Sequence, residues 1–123
     1  MNLMGKSLLM ASLLALSSVT FASEARHFKG EKAETLSQAV QQFSEQNKKL
    51  AAILQKGAIE PKEMADIHIM TYTLENALAK LKSELDTIEE LLEDVHKASE
   101  YGETQKVLKQ GQKYLEKAQT LVP

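Results

Sequence analysis

The sequence predicts an all-α protein built around one long central helix. Only two prolines and five glycines occur among its 123 residues, which favours long helices over sheets. Between Pro61 and Tyr101, apolar or small residues recur at alternating spacings of three and four residues without interruption. This heptad pattern predicts a single helix over residues 61–101 that packs along its whole length. The predicted seam consists of Met64, Ile67, Thr71, Leu74, Leu78, Leu81, Leu85, Ile88, Leu92, Val95 and Ser99.

A shorter helix is predicted on each side of the long one. The first should span residues 33–56, with Gly57 as its stop and Pro61 in the first turn of the next helix. The third should span residues 103–122, after Gly102 ends the long helix. The predicted seams are Leu36, Val40, Phe43, Asn47, Leu50 and Leu54 in the first helix, and Thr104, Val107, Gly111, Tyr114, Ala118 and Leu121 in the third. Three further residues widen the stripe of the third helix, namely Leu108, Leu115 and Val122.

The short links between the predicted helices determine how these helices pack. Short connections force neighbouring helices to be antiparallel, so the first helix should lie along the first half of the long helix and the third along its second half. Most cross-sections of a single chain would then contain only two helices, which cover a seam poorly. We still expect Leu78 and Leu81 to be buried. An antiparallel dimer of two long helices would complete a four-helix cross-section.

A second architecture is compatible with the same pattern. A break within residues 82–87 would divide the long stretch and give an up-down-up-down four-helix bundle with helices of similar length. Ser83 and Asp86 even have a loose helix-capping spacing. The heptad phase nevertheless continues through Ser83, and residues 82–87 contain no glycine or proline, which favours the continuous helix.

The N-terminal segment has the layout of a secretory signal peptide. Lys6 precedes an apolar stretch over residues 7–19, and the small side chains of Thr20 and Ala22 fit cleavage after Ala22. The apolar stretch is short for a membrane span. We therefore expect a signal peptide over residues 1–22 and export to the periplasm, with no membrane association after cleavage.

Removal of the signal peptide would leave a mature chain that starts near Ser23. Residues 23–32 are mostly polar and contain Gly30, so they predict a flexible arm that attaches to the helices through Phe28. Residues 33–123 should form a single helical domain. Because the sequence contains no cysteine, hydrophobic packing or oligomerisation must stabilise the exported chain.

Two polar clusters on the long helix are weak candidates for a metal or haem site. His68 lies one turn after Met64, and imidazole and thioether groups are ligands for copper and haem iron. Glu93 and His96 form one Glu-x-x-His pair, whereas di-iron bundles use two such pairs and two further glutamates. A complete site would need ligands from the other two predicted helices, which contain no histidine. We therefore predict no cofactor, and a hydrogen-bonded surface beside the core is the simpler interpretation.

Three short runs in the mature sequence point to a known family. They are His-Phe-Lys-Gly at residues 27–30, Glu-Thr-Leu at residues 34–36 and Thr-Tyr-Thr-Leu-Glu-Asn-Ala-Leu at residues 71–78. With these runs the chain resembles a family of small exported bacterial helical proteins of unknown function, which implies no activity. More loosely, the export signal, length and helical pattern are similar to cytochrome b562-like bundles. Their haem ligands are a methionine in the first helix and a histidine in the last. Here Ala33 and Leu36 stand at the start of the first helix and the last has no histidine, so the haem ligands are not carried over.

Composition and motifs favour a binding role over catalysis. The formal net charge of −2 gives no indication of nucleic-acid binding. The sequence shows no nucleophile–base pair, phosphate-binding loop or paired-carboxylate motif, so we predict no catalytic residue and no enzyme activity. Our first hypothesis is a non-enzymatic periplasmic protein that acts by binding a protein partner or by self-assembly, for example as a homodimer. The alternative hypothesis is a haem- or metal-binding helical-bundle protein of the periplasm.

Overall fold

Residues 28–123 are described by a computed structural model, and this part of the chain forms three α-helices. α1 spans Leu36–Leu54, α2 spans Pro61–Glu100 and α3 spans Thr104–Leu121. α2 has 40 residues and is therefore about 60 Å long. Within the described range, no helix has both the length and the apolar character that a membrane span requires.

The predicted architecture with one long central helix is confirmed. α1 and α3 both pack along α2, and the two shorter helices also contact each other. The alternative with a break within residues 82–87 is wrong, because α2 continues through this segment without interruption. Most of the predicted helix bounds agree with the structure to within one or two residues. The exception is the start of α1, which was predicted at residue 33 and lies at Leu36.

A capping box determines where α1 begins. The Thr35 hydroxyl accepts a hydrogen bond from the backbone N–H of Gln38 at 3.2 Å, and the Gln38 side chain accepts one from the backbone N–H of Thr35 at 3.2 Å. α1 therefore starts at Leu36, later than the predicted start. Gly57 and Gly102 lie in the turns after α1 and α2 with φ of +71° and +69°, a conformation that glycine adopts without strain.

The buried face of α2 is rotated relative to the predicted seam. The apolar face consists of three neighbouring columns, each with residues at a spacing of seven. The column of Met70, Ala77 and Ala98 is buried, and the middle column, which includes Leu81, is half-buried. The third column, which includes Leu78, is exposed. The prediction that Leu78 is buried is therefore wrong, since α1 and α3 cover only one flank of the apolar face.

Proline at position 83 tests the continuity of α2. Ser83 is exposed, so its side chain is not needed for packing. Ser83→Pro should lower the free energy of unfolding by about 3 kcal/mol or more, because proline removes a helix hydrogen bond and clashes with the preceding turn. The control Ser83→Ala should change it by less than about 0.5 kcal/mol. Chemical denaturation followed by circular dichroism measures both, and a nearly neutral Ser83→Pro would contradict a continuous helix.

Candidate functional site

The described part of the arm, residues 28–32, is docked on α2. The ring of Phe28 lies edge-on to the ring of Tyr72, with 6.4 Å between the ring centroids. Gly30 has a φ of +74°, and a Cβ atom placed on it would lie 2.6 Å from the carbonyl carbon of Tyr72. Only glycine can therefore bring the arm this close to the helix backbone. Phe28 thus holds the described end of the arm against α2.

Two side chains of α2 bind the backbone of the arm. The Thr73 hydroxyl accepts a hydrogen bond from the backbone N–H of Glu31 at 3.1 Å. The side-chain amide of Asn76 donates to the carbonyl oxygens of Lys29 and Glu31 at 2.8 and 3.1 Å. These bonds satisfy backbone groups in a segment that lacks regular secondary structure.

The arm lies along one groove between α1 and α2. On the α1 side, the Gln42 amide donates a hydrogen bond to the carbonyl oxygen of Lys32 at 3.5 Å. A shallow cavity beneath the arm is lined from all three segments, by Phe28 of the arm, Lys49 of α1 and Ile69 of α2 among others. The arm therefore covers this side of the α1–α2 pair.

Polar contacts join α2 to α3 farther along the chain. Gln110 Nε2 donates a hydrogen bond to Asp94 Oδ2 at 2.7 Å. Lys117 Nζ lies 2.5 Å from Glu84 Oε2, and Lys80 Nζ lies 2.7 Å from Glu84 Oε1. The hydrogen bond from Lys117, followed by that from Lys80, holds the pKa of the Glu84 carboxyl below its ordinary value. An ionised Glu84 thus connects α3 to the middle of α2.

These contacts mark a polar side of the helix layer. Thr73, Lys80 and Asp94 are separated by multiples of seven residues, so they form one column along α2. On α3, Gln110 binds Asp94 of this column, and Lys117, seven residues later, binds Glu84 in the neighbouring buried column. α2 and α3 are antiparallel, so the flanks of the two helices that carry these polar residues lie on the same side of the helix layer. The opposite flanks of α2 and α3 must therefore share the other side of the layer.

That other side is apolar and open. Eight large apolar side chains on it are 48–77% exposed, which exceeds the scattered exposure that is normal on a soluble protein. We call this set the open stripe. Its members are Leu54 of α1, Met64, Leu78, Leu85 and Leu92 of α2, Leu108 and Leu115 of α3, and Val122 directly after α3. The sequence predicted most of these residues as apolar seam positions and missed that they face outward.

The predicted metal-ligand candidates do not form a common site. His68 Nε2 lies 3.3 Å from the Tyr72 hydroxyl, and Met64, one turn earlier, is 56% exposed. Glu93 and His96 each lie near a charged side chain four positions later, at 3.0 and 3.4 Å. In the described part of the chain, no three His, Cys, Asp or Glu side chains are grouped so that they could bind one metal ion.

An open groove runs beside Leu92 on the exposed side of α2. Its other lining residues are Asp86, Glu89, Glu90, Glu93 and His96. The groove therefore combines an apolar edge with several carboxylates. Such a surface suits a protein segment that presents both apolar and basic side chains.

Comparison with known proteins gives a family for the whole sequence. A family of unknown function, DUF6746, matches residues 1–123. The chain belongs to this family. No curated protein and no solved structure matches it. The looser similarity to cytochrome b562-like bundles does not extend to topology, since residues 28–123 form three helices and those bundles have four.

Two of the three runs that carry the family resemblance meet in the structure at the docked arm. Phe28 and Gly30 belong to the first run, whereas Tyr72, Thr73 and Asn76 belong to the third. All five take part in the contact between the arm and α2. These five residues thus explain how one side of the helix layer of this DUF6746 protein is closed.

Replacement of Gly30 tests the docked arm. Gly30→Ala should release the arm, since the new methyl group meets the backbone of α2. Gly57→Ala is the matched control, because Gly57 has a similar φ of +71° but open space around a Cβ atom. Gly30→Ala should cost about 1–3 kcal/mol of unfolding free energy beyond the control, from the lost hydrogen bonds of the arm.

Hydrogen exchange distinguishes the two glycine variants directly. The amide of Glu31, which donates to Thr73, should lose its protection in Gly30→Ala and keep it in Gly57→Ala. An unprotected Glu31 amide in the wild type would contradict the docked arm. Equal unfolding free energies together with a protected Glu31 amide in both variants would contradict the need for glycine at position 30.

Glu84 makes the stability of the α2–α3 contact dependent on pH. Its pKa is lowered in the folded protein, so its stabilising effect is complete above the ordinary value of 4.5 and is lost as pH falls through the lower folded pKa. Glu84→Gln should lower the unfolding free energy by about 1–2 kcal/mol at pH 7. The difference from the wild type should shrink towards zero below the folded pKa.

Thermal or chemical unfolding over a pH series measures this effect. Glu90→Gln, an exposed position on α2, is the control and should change the unfolding free energy by less than about 0.5 kcal/mol at any pH. A loss in Glu84→Gln that stays constant down to the acid limit would show that the ionised carboxylate is not the cause.

Proposed function

We propose that this DUF6746 protein is a non-enzymatic, exported protein that acts in the periplasm by associating with protein through the open stripe. The observation that supports this proposal is the exposure of eight large apolar side chains along one side of the helix layer. The opposite side is occupied by the arm and by polar contacts between α2 and α3. Only one flank of this apolar face is covered. Burial of the other flank by a partner would therefore be favourable in free energy.

The magnitude of this free energy favours a partner that is itself apolar. Complete burial of a leucine contributes about 1.5–3 kcal/mol. The open-stripe side chains of α2 are 48–56% exposed, so covering each contributes roughly 1 kcal/mol. The whole stripe then supplies about 8 kcal/mol, against an association cost of about 4–15 kcal/mol. A polar partner would bind weakly, whereas a partner with a matching apolar surface contributes a comparable amount again.

The shape of the surface also favours a macromolecular partner. The grooves found in the described part of the chain are open, whereas sites for small molecules enclose most of the ligand surface. The alternative, a haem- or metal-binding role, has no contact or cluster in its favour among these residues. A haem absorption band in protein purified from the periplasm would revive that alternative and count against our proposal.

Site-specific photo-crosslinking tests the proposed association. A photoreactive amino acid in place of Leu92, a member of the open stripe, should form protein adducts in intact cells. The same amino acid in place of Ser83, which is exposed and lies outside both the open stripe and the groove beside Leu92, is the control and should form few. Adducts with a second copy or with another protein both support the proposal. Equal adducts from the two positions, or none from position 92, would overturn it.

The export part of the proposal rests on the signal-peptide layout of residues 1–22, which lie outside the described residues. The mature protein should be found in the periplasm with Ser23 as its first residue. Intact-mass spectrometry of the periplasmic fraction measures this directly. Protein that retains Met1 would contradict export through a cleaved signal peptide.

A further inference from the structure

We propose that the open stripe binds a second copy of this chain, with the two α2 helices antiparallel and a two-fold axis beside Leu85. The inference rests on the proposed association and specifies its partner. Leu78 and Leu92 each lie seven residues from Leu85 and are exposed to a similar extent, 49% and 48%. With the axis beside Leu85, this leucine meets its own copy, and Leu78 meets Leu92 of the second copy. Each of the three leucines therefore packs against a leucine.

The charged column next to the open stripe supports the same register. Lys82 and Glu89 follow Leu78 and Leu85 by four residues, so they lie beside the open stripe on the flank away from the core. Glu75 lies in the same column, seven residues before Lys82, and all three are exposed. When Leu85 lies at the axis, Lys82 of each copy lies opposite Glu89 of the other. Two symmetric ion pairs then border the leucine contacts, as charged residues do beside the seam of a coiled coil.

Other pairings of the same helices are worse. In a parallel pair every residue faces its own copy, so Lys82 meets Lys82 and Glu89 meets Glu89. An antiparallel pair with its axis between Leu78 and Leu85 also places Lys82 against itself. An axis beside Leu78 would allow ion pairs but would place Thr71 opposite Leu85. Of these pairings, only the one with its axis beside Leu85 places leucine opposite leucine and also Lys82 opposite Glu89.

The register also predicts which part of the stripe stays outside the contact. With the axis beside Leu85, residues 70–100 of the two α2 helices overlap, over about 45 Å. Met64 lies beyond this overlap, although it is in the same column and is as exposed as the leucines. Met64 is therefore a matched control for substitutions within the contact.

Cysteine crosslinking tests the register, and the natural chain has no cysteine to interfere. Leu85→Cys alone should give a disulfide-linked dimer of the mature chain on mild oxidation, since only the axis position brings a residue near its own copy. Leu78→Cys and Leu92→Cys should each remain unlinked alone and become linked when the two variants are mixed. Self-linking of all three variants would indicate a parallel pair and overturn the proposal. Linking of Leu78→Cys to Leu85→Cys in preference would also overturn it.

Charge exchange tests the predicted ion pairs independently. Lys82→Glu and Glu89→Lys should each raise the dimer dissociation constant by about tenfold or more, because they place like charges opposite each other. The double variant should return to within about threefold of the wild type. Met64→Ser should leave the constant unchanged, whereas Leu85→Ala should raise it by about tenfold or more. Sedimentation equilibrium measures the five variants and the wild type. A double variant that dimerises as weakly as the single charge variants would overturn the register.

The outcome separates this inference from the proposed function. A wild-type protein that stays monomeric up to millimolar concentration overturns the homodimer. If position 92 then still crosslinks to another protein in cells, association through the open stripe stands with a different partner. If position 92 forms no adduct either, both the homodimer and the proposed function are wrong.

Discussion

The apolar face of α2 is three columns wide, and a single layer of helices packed on it covers only two. α1 and α3 pack most closely over the column that contains Ala77 and Ala98, whose small side chains are completely buried. The middle column is half-buried beneath their edge. The third column is left with leucines such as Leu85 about half exposed. The open stripe is thus a consequence of the width of this face and the number of helices available to cover it.

Directional polar contacts explain which flank is covered. The hydrophobic effect is not directional, so covering either flank of the middle column would be favourable in free energy. Hydrogen bonds and ion pairs have partners at fixed positions, and these lie on one side only. Glu84 binds Lys117 of α3 there, and Thr73 binds the arm beside α1. A few polar side chains therefore select the packing of both shorter helices, while apolar area supplies most of the free energy.

The sequence allowed the helices and their order to be predicted, because these depend on local signals. The heptad phase of α2 and the positions of Gly57 and Gly102 lie within single segments and need no tertiary information. The choice of buried column could not be predicted in this way. Leu78 is larger and more apolar than Ala77, and the buried column also contains the charged Glu84. Side-chain size and polarity therefore both predicted burial of the column that contains Leu78, which is exposed. The fixed position of the arm depends on Gly30 meeting the backbone of Tyr72, a contact between residues far apart in sequence.

The docked arm also has a consequence for the order in which the chain folds. The α1–α2 pair and the α2–α3 pair each form between segments that are neighbours in the sequence. Such contacts close small loops and form fast. The hydrogen bonds of the arm span 42–47 residues, so they close a longer loop and lose more chain entropy than the contacts beside either turn. During synthesis the arm emerges before the helices, yet its docking surface is complete only when Asn76 follows, 47 residues after Lys29. Although the arm is made before the helices, it therefore becomes ordered only after α2 has formed.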